Sequence, residues 1–282
     1  FGKAIRFFKN KLNCSSYLIL RDLFPQWLVD VGIIKKNGIV HVILKYFERI
    51  SLNNADRVGV MSRGNLKLFS NKIDFNKYEV LYNWQTSKDI IKVTSCLKQY
   101  GLEKLTDKFV FFYGGNIGSA QGIDTLLDLA NSLVTYRQLQ FLYIGQGDAV
   151  NLIINRNLPN VTYIDSLSQK DYFELVSNFD VGIFSLHRSH TAHNFPGKLY
   201  GYMSMSKPIL GIVNDGNDVK ELINDNHAGL VCYHNEGIDK LVSHCINLSN
   251  DLDLLKEQGF NSHNIILKFT PEKAANQILS FF

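Results

Sequence analysis

Three short stretches hold residues that can do chemistry together. Two are glycine turns, "YGGNIGSAQG" at 113–122 and "IGQGD" at 144–148, each following an apolar run. The third, "NFPGKLYGYM" at 194–203, sets Lys198 after a Phe-Pro-Gly turn at the start of a helical pattern. Glycine after a strand lets backbone approach a phosphate, and a helix start adds unpaired N–H groups and a positive dipole end. A lysine there supplies positive charge for a phosphate. The spacing in the first turn is not G-x-G-x-x-G, because Asn116 takes the place of the second glycine. A dinucleotide fingerprint is therefore disfavoured, as is a phosphate loop ending in G-K-[ST]. Each turn alone is equally well explained as a tight connection, and only the three together point to a phosphate-bearing ligand.

The elements that would position these loops are regular from residue 108 onward. "KFVFFYGG", "LQFLYIG", "NVTYID", "DVGIFSL", "PILGIV" and "GLVCY" read as buried strands, and amphipathic helical segments separate them. Such alternation at short spacing predicts parallel strands with right-handed crossovers, a doubly wound α/β domain that binds ligands at the carboxyl ends of its strands. Three helical segments close the chain. The front part, with "YLIL", "DRVGVMS" and "YEVLYNW", predicts part of a second Rossmann-like unit. We expect 1–86 as the incomplete end of that unit, 87–107 as a linker, 108–270 as the doubly wound ligand-binding domain and 271–282 as a closing helix. The chain begins without Met and with few front strands, which reads as a missing N-terminal portion.

Composition narrows the function. With 45% hydrophobic residues over 282 positions the chain can fill a full core. Its four cysteines are far apart and show neither a disulfide framework nor zinc-ligand spacing. No apolar run approaches the roughly 18 residues of a membrane span, and the opening "FGKAIRFFKNKL" interleaves charge with apolar residues, unlike a cleavable signal. The net charge of +4 is uneven: residues 1–50 carry nine Lys/Arg against three Asp/Glu, so the remainder is slightly acidic. In residues 1–12, Phe1, Ile5, Phe8 and Leu12 fall at helical spacing among lysines. That pattern suits either a helix on an anionic membrane surface or an ordinary amphipathic helix. Nucleic acid is not an expected partner, since basic residues are not organised beyond this segment.

In order and spacing, "YGGNIGSAQGIDTLLDLA", "FLYIGQGD", "NVTYI", "DVGIFSL" and "NFPGKLYGYMSMSKPILGIV" resemble the donor-binding domain of family 4 glycosyltransferases. "YLILRDLFPQWLVDVGI" and "NNADRVGVMSRGN" are similar to the later acceptor domain of the branch that builds bacterial O-antigen and capsule, including probable N-acetyl-L-fucosamine transferases. The resemblance implies a GT-B architecture of two facing Rossmann-like domains. It implies retaining transfer from a nucleotide-sugar, itself a substrate, with no cofactor and no metal, to a lipid-linked saccharide acceptor. The setting implied is cytoplasmic, or peripheral on the inner membrane face.

The family pattern puts an Arg and a Lys on the diphosphate from the first loop, where this chain has Asn116 and Gln121. It also has two glutamates eight residues apart, where this chain has His193 and Gly201. Lys198 is then the remaining cation for the diphosphate. The expected donor-site residues are Gly114, Gly115, Asn116, Gln121, Gly145, Gly147, Gly197, Lys198 and Gly201. Asp22, after "YLIL", and His193 are the expected catalytic residues. Asp22 can equally cap the helix that follows, His193 can equally face solvent, and Gly201 with Gly197 can serve close helix packing. The histidines of "SLHRSHTAH" at 185–193 show no triad or metal-ligand spacing. Two further outcomes remain open, a nucleotide-sugar 2-epimerase of the same fold and an inactive or truncated nucleotide-sugar-binding protein. Epimerised sugar formed without acceptor would mark the first, and binding without turnover the second.

Overall fold

A computed structural model describes residues 2–71, 74–86, 95–191, 193 and 195–282. Two parallel sheets organise them. The first has three strands in the order β1-β2-β3, with β1 at Tyr17–Leu20, β2 at Arg57–Val60 and β3 at Tyr78–Val80. The second has six: β4 (Phe109–Gly114), β5 (Leu139–Ile144), β6 (Val161–Ile164), β7 (Val181–Ser185), β8 (Ile209–Val213) and β9 (Gly229–Tyr233). Every pairing in it is parallel, in the order β6-β5-β4-β7-β8-β9.

The β4 to β9 strands form where apolar runs were expected because both faces of this sheet are covered. Phe112, Leu142 and Phe184 pack into one core with the helices Gln169–Val176, Lys198–Ser204 and Leu252–Ile266. Phe111, Phe141 and Ile183 pack into another with Ile123–Ser132 and Asp239–Asn250. Strands buried on both faces are apolar throughout, and alternation within each still sends neighbours to opposite layers. The strand order reverses between β4 and β7, so the loops leaving those two strands diverge and open a crevice at their carboxyl ends.

Residues near the expected linker behave differently from a polar connector. Cys96, Leu97, Leu102 and Leu105 are buried in the core beneath the second sheet. The stretch from 95 onward packs as part of that unit, because its four apolar residues recur on the inner side of two short helical turns. Positions 87–94 of that linker lie outside the described residues. The closing helix Pro271–Leu279 returns to the first sheet: Gln277 donates to the Val80 carbonyl at 2.8 Å, and Phe281 packs against Tyr17.

The basic opening helix, Gly2–Leu12, lies on the long helix Ile39–Asn54, held by Gly2 against Ile50 and by Lys9 paired with Asp56 at 2.5 Å. Its inner side is therefore Gly2, Ile5 and Lys9, while Phe8 and Leu12, expected on one face with Ile5, point outward beside Phe7. Phe1 lies outside the described residues. Among the described residues no helix is long and apolar enough to cross a membrane.

Candidate nucleotide-sugar site

A cleft of about 830 Å³ opens at the carboxyl ends of β4, β5 and β7 and reaches the first unit. Of the residues expected there, Asp22, Gly114, Gly115, Asn116, Gln121, Gly145, Gly197, Lys198 and Gly201 all line it. Gly147 and His193 do not.

The two glycine turns are stacked on each other. Gly145 has φ +149° and Gly147 has φ +156°. A Cβ on the former would stand 1.9 Å from the Gly115 oxygen, and on the latter 2.1 Å from the Ile117 oxygen. Only glycine permits both that backbone conformation and that approach. Gly147, expected to bind donor, is thus a packing residue. The same stacking engages amides of the first loop, Gly115 donating to the Ile144 carbonyl and Ile117 to the Gln146 carbonyl, while Gly114 donates to the Tyr202 hydroxyl on the helix Lys198–Ser204. Asn116 and Gln121 are occupied with each other, since Gln121 Oε1 accepts from Asn116 Nδ2 and from the Gly118 amide, both at 3.1 Å. The first loop therefore offers polar groups at the crevice but no charge.

The charge comes from Lys198. The residue as a whole is half-buried, but its Nζ is shut from solvent and has no hydrogen-bond partner among the described residues. An ordinary solvated surface lysine would keep its ammonium in water, which this burial excludes. The ammonium lies 3.3 Å from the centre of the Tyr113 ring, and Lys198 Cε comes within 4.0 Å of the space beside Gly115. Loss of hydration pulls the pKa of Lys198 well below the ordinary lysine value. An isolated buried cation is costly unless an anion meets it.

The close-packing alternative for Gly201 and Gly197 is overturned. A Cβ there would find only the Phe173 ring, at 3.8 Å, and one at Gly197 would find nothing within 4 Å. Neither glycine serves close helix packing. Gly201 instead leaves open room on the cleft wall.

Asp22 stands exposed on the first unit's side of the cleft, just past β1. The neighbouring Arg21 turns aside to Asn83, at 2.6 Å, and to the Trp84 ring. Asp22 makes no helix-capping bond; the short helix Gln26–Asp30 begins after Pro25 without a side-chain cap. His193 belongs to the seam between the two units. Its ring fits against Gly64 and Gly216, its amide donates to Asn65 Oδ1 at 2.9 Å, and its carbonyl accepts from Ser62 Oγ at 3.0 Å. It does not reach the cleft because those contacts turn it toward the first unit. The same seam has Asp30 accepting from the amide and hydroxyl of Thr191, and Asp218 accepting from the amides of Arg63 and Gly64. Neither aspartate was singled out in the sequence, since each meets a partner more than a hundred residues away.

The remaining histidines of that loop also serve structure. His190 Nε2 lies 2.8 Å from the Ala120 carbonyl. Burial lowers the pKa of His190, His193, His234 and His244 from 6.5. The unfolded chain takes up protons near pH 6.5 that the folded chain resists. Stability is therefore full above that pH and falls as the pH drops toward the lower folded values. Thermal unfolding followed from about pH 7.5 down to about pH 5.5 should show a falling midpoint, and a flat profile would contradict this assignment.

Sequence reasoning also missed Tyr172, Phe173, Gln146 and Leu167 on the cleft wall. The signal for them was the strand alternation itself, because Gln146 and Leu167 follow β5 and β6 at their carboxyl ends.

Comparison with known proteins fits this arrangement. The family model described as glycosyl transferases group 1 matches residues 98–263, more than half of the chain. A probable glycosyltransferase, WbjE of Pseudomonas aeruginosa, is 26% identical over 227 residues, covering 78% of this chain and 56% of the relative. The chain thus spans little more than half the length of that curated relative. Among solved structures, HepE of Anabaena in complex with UDP superposes with a TM-score of 0.75 at 16% identity, over 100% of this chain and 76% of that one. WaaG, a glycosyltransferase involved in lipopolysaccharide biosynthesis, gives 0.69 at 11% identity over 97% and 80%. The likeness establishes the GT-B fold, and with the family match over the second unit the chain belongs to the group 1 glycosyltransferases.

Proposed function

We propose that the cleft binds a nucleoside-diphosphate sugar and that the protein transfers its glycosyl group, with retention of configuration, to a lipid-linked saccharide in bacterial surface polysaccharide synthesis. The observation that carries the donor assignment is the buried, unpartnered Lys198 ammonium beside Gly115 at the strand-order reversal. A diphosphate there supplies the missing counter-charge, and the charge-assisted contact grows as negative charge develops on the leaving group. In this reading Lys198 meets that charge without a metal. Asn116 and Gln121 give neutral hydrogen bonds, and Asp22 faces the sugar or acceptor from the opposite wall.

The nucleotide assignment gains support from the UDP complex of the HepE structure. An O-antigen or capsule role, with N-acetyl-L-fucosamine as the sugar moved, rests on the motif resemblance. A place at the inner membrane face suits the outward Phe7, Phe8 and Leu12 interspersed with Lys3, Arg6 and Lys11.

Titration of the purified chain with UDP, dTDP and GDP and their sugars tests the donor reading, which fails if none binds. Gly201→Glu sharpens the test. The open space accepts the side chain, and the helix gains about 0.5 kcal/mol or slightly more over glycine. A carboxylate accepting from ribose hydroxyls should tighten nucleotide binding by roughly tenfold. Unchanged affinity would put the ribose away from Gly201. Incubation of a labelled nucleotide-sugar with a lipid-linked saccharide, and NMR of the anomeric proton of the product, tests transfer and its stereochemistry.

A further inference from the structure

Tyr113 ends the apolar part of β4, is fully buried, and does not line the cleft. It nevertheless joins the two parts of the donor site that carry opposite tasks. On its ring rests the Lys198 ammonium, 3.3 Å from the centre. Its hydroxyl donates to the Asn116 carbonyl at 2.6 Å, in the bend of the first glycine loop. The ring also stacks on Tyr143, with centroids 5.8 Å apart, which fixes its plane. Shut from solvent and with no hydrogen-bond acceptor among the described residues, the ammonium has the negative face of this ring as its compensation.

We propose that Tyr113 is a positioning residue of the donor site: its ring holds the Lys198 ammonium charged and aimed beside Gly115, and its hydroxyl ties that seat to the Asn116 bend. The inference rests on the reading of the cleft as a nucleoside-diphosphate site. A non-aromatic residue at 113 removes the π face, so Lys198 sheds its proton in the empty protein. Binding of a diphosphate must then bring that proton back, and affinity acquires a steeper pH dependence than the parent chain has.

The experiment measures UDP, dTDP and GDP affinity from about pH 7 to about pH 9, above the range where the terminal phosphate itself titrates. In the parent and in Tyr113→Phe, affinity for the nucleotide that binds best should share one shallow slope across that range. In Tyr113→Leu it should fall about tenfold toward the alkaline end and recover toward neutrality. On a Lys198→Met background, Tyr113→Leu should change neither the affinity nor its slope. Equal weakening at every pH, or the same weakening without Lys198, makes Tyr113 merely structural and overturns the proposal. If Tyr113→Leu does not fold, Tyr113→Met replaces it. If neither folds, carbon-13 NMR of lysine Cε in the parent decides: a charged Lys198 near neutral pH with a ring-current shift supports the proposal, and a neutral or unshifted one overturns it. A parent chain that binds none of the three nucleotides removes the donor reading and this inference together. Binding that depends on Lys198 but not on Tyr113 removes the inference alone.

Discussion

Lys198→Met should weaken binding of the nucleoside diphosphate by roughly 10- to 100-fold while leaving the empty protein as stable as the parent or more so. The first half follows from a charge-assisted contact in a shielded crevice, which contributes about 1.5 to 3 kcal/mol. The second follows from what the empty site holds. An ammonium shut from solvent, with no acceptor among the described residues, is a liability to the fold, and methionine fills nearly the same volume with no charge to desolvate. Calorimetric titration and thermal unfolding on the same samples separate the two halves. A variant that loses stability without losing affinity would mean that Lys198 is a structural cation, and the donor assignment would lose its main support. Because the native pKa of Lys198 is depressed, the folded chain holds this proton less firmly than the unfolded chain. Its contribution to the pH profile is thus of the destabilising kind below the ordinary lysine range, and Lys198→Met removes it.

Gly145→Ala should destabilise the chain by about 3 kcal/mol, with overpacking and backbone strain acting together. The added methyl would meet the Gly115 oxygen at 1.9 Å, and backbone rather than a flexible side chain must yield. Urea denaturation measures the loss. Nucleotide affinity should fall with it, because the displaced Gly115 belongs to the cleft wall. Gly197→Ala is the matched control. Its φ is −57° and nothing lies within 4 Å of the new atom, so stability should hold or rise by about 0.5 kcal/mol. Equal losses at both positions would deny the stacked-turn account.

Local pattern reached the second sheet well. Apolar runs such as "LQFLYIG" became β5 within a residue, and the amphipathic stretch after Gly122 became the helix Ile123–Ser132, since period and punctuation there agree with the packing. The strand-end loops were therefore legible, and with them most of the cleft wall. Residues 95–107 were harder because charged positions mask Leu97, Leu102 and Leu105, whose burial is decided by the sheet above them. His193 and Gly147 were misjudged for a shared reason. What each does depends on an atom distant in the chain, Gly64 for the one and the Ile117 carbonyl for the other. Tyr113 looked like one more apolar residue of a buried strand, and only the juxtaposition of β4 with the helix Lys198–Ser204 gives its ring a partner.

The seam has a mechanical result. Thr191 and His193 sit on the strap that runs from β7 to Lys198, and both are fastened to the first unit through Asp30, Ser62 and Asn65. Asp218, on the loop after β8, is fastened to it as well. Swinging the first unit away must either snap these fastenings or tug the strap, and the strap ends at the lysine. If the cleft holds a nucleotide as proposed, its escape and separation of the two halves are geared to one another, so loosening Asp30 would alter the pace of release from a position outside the cleft.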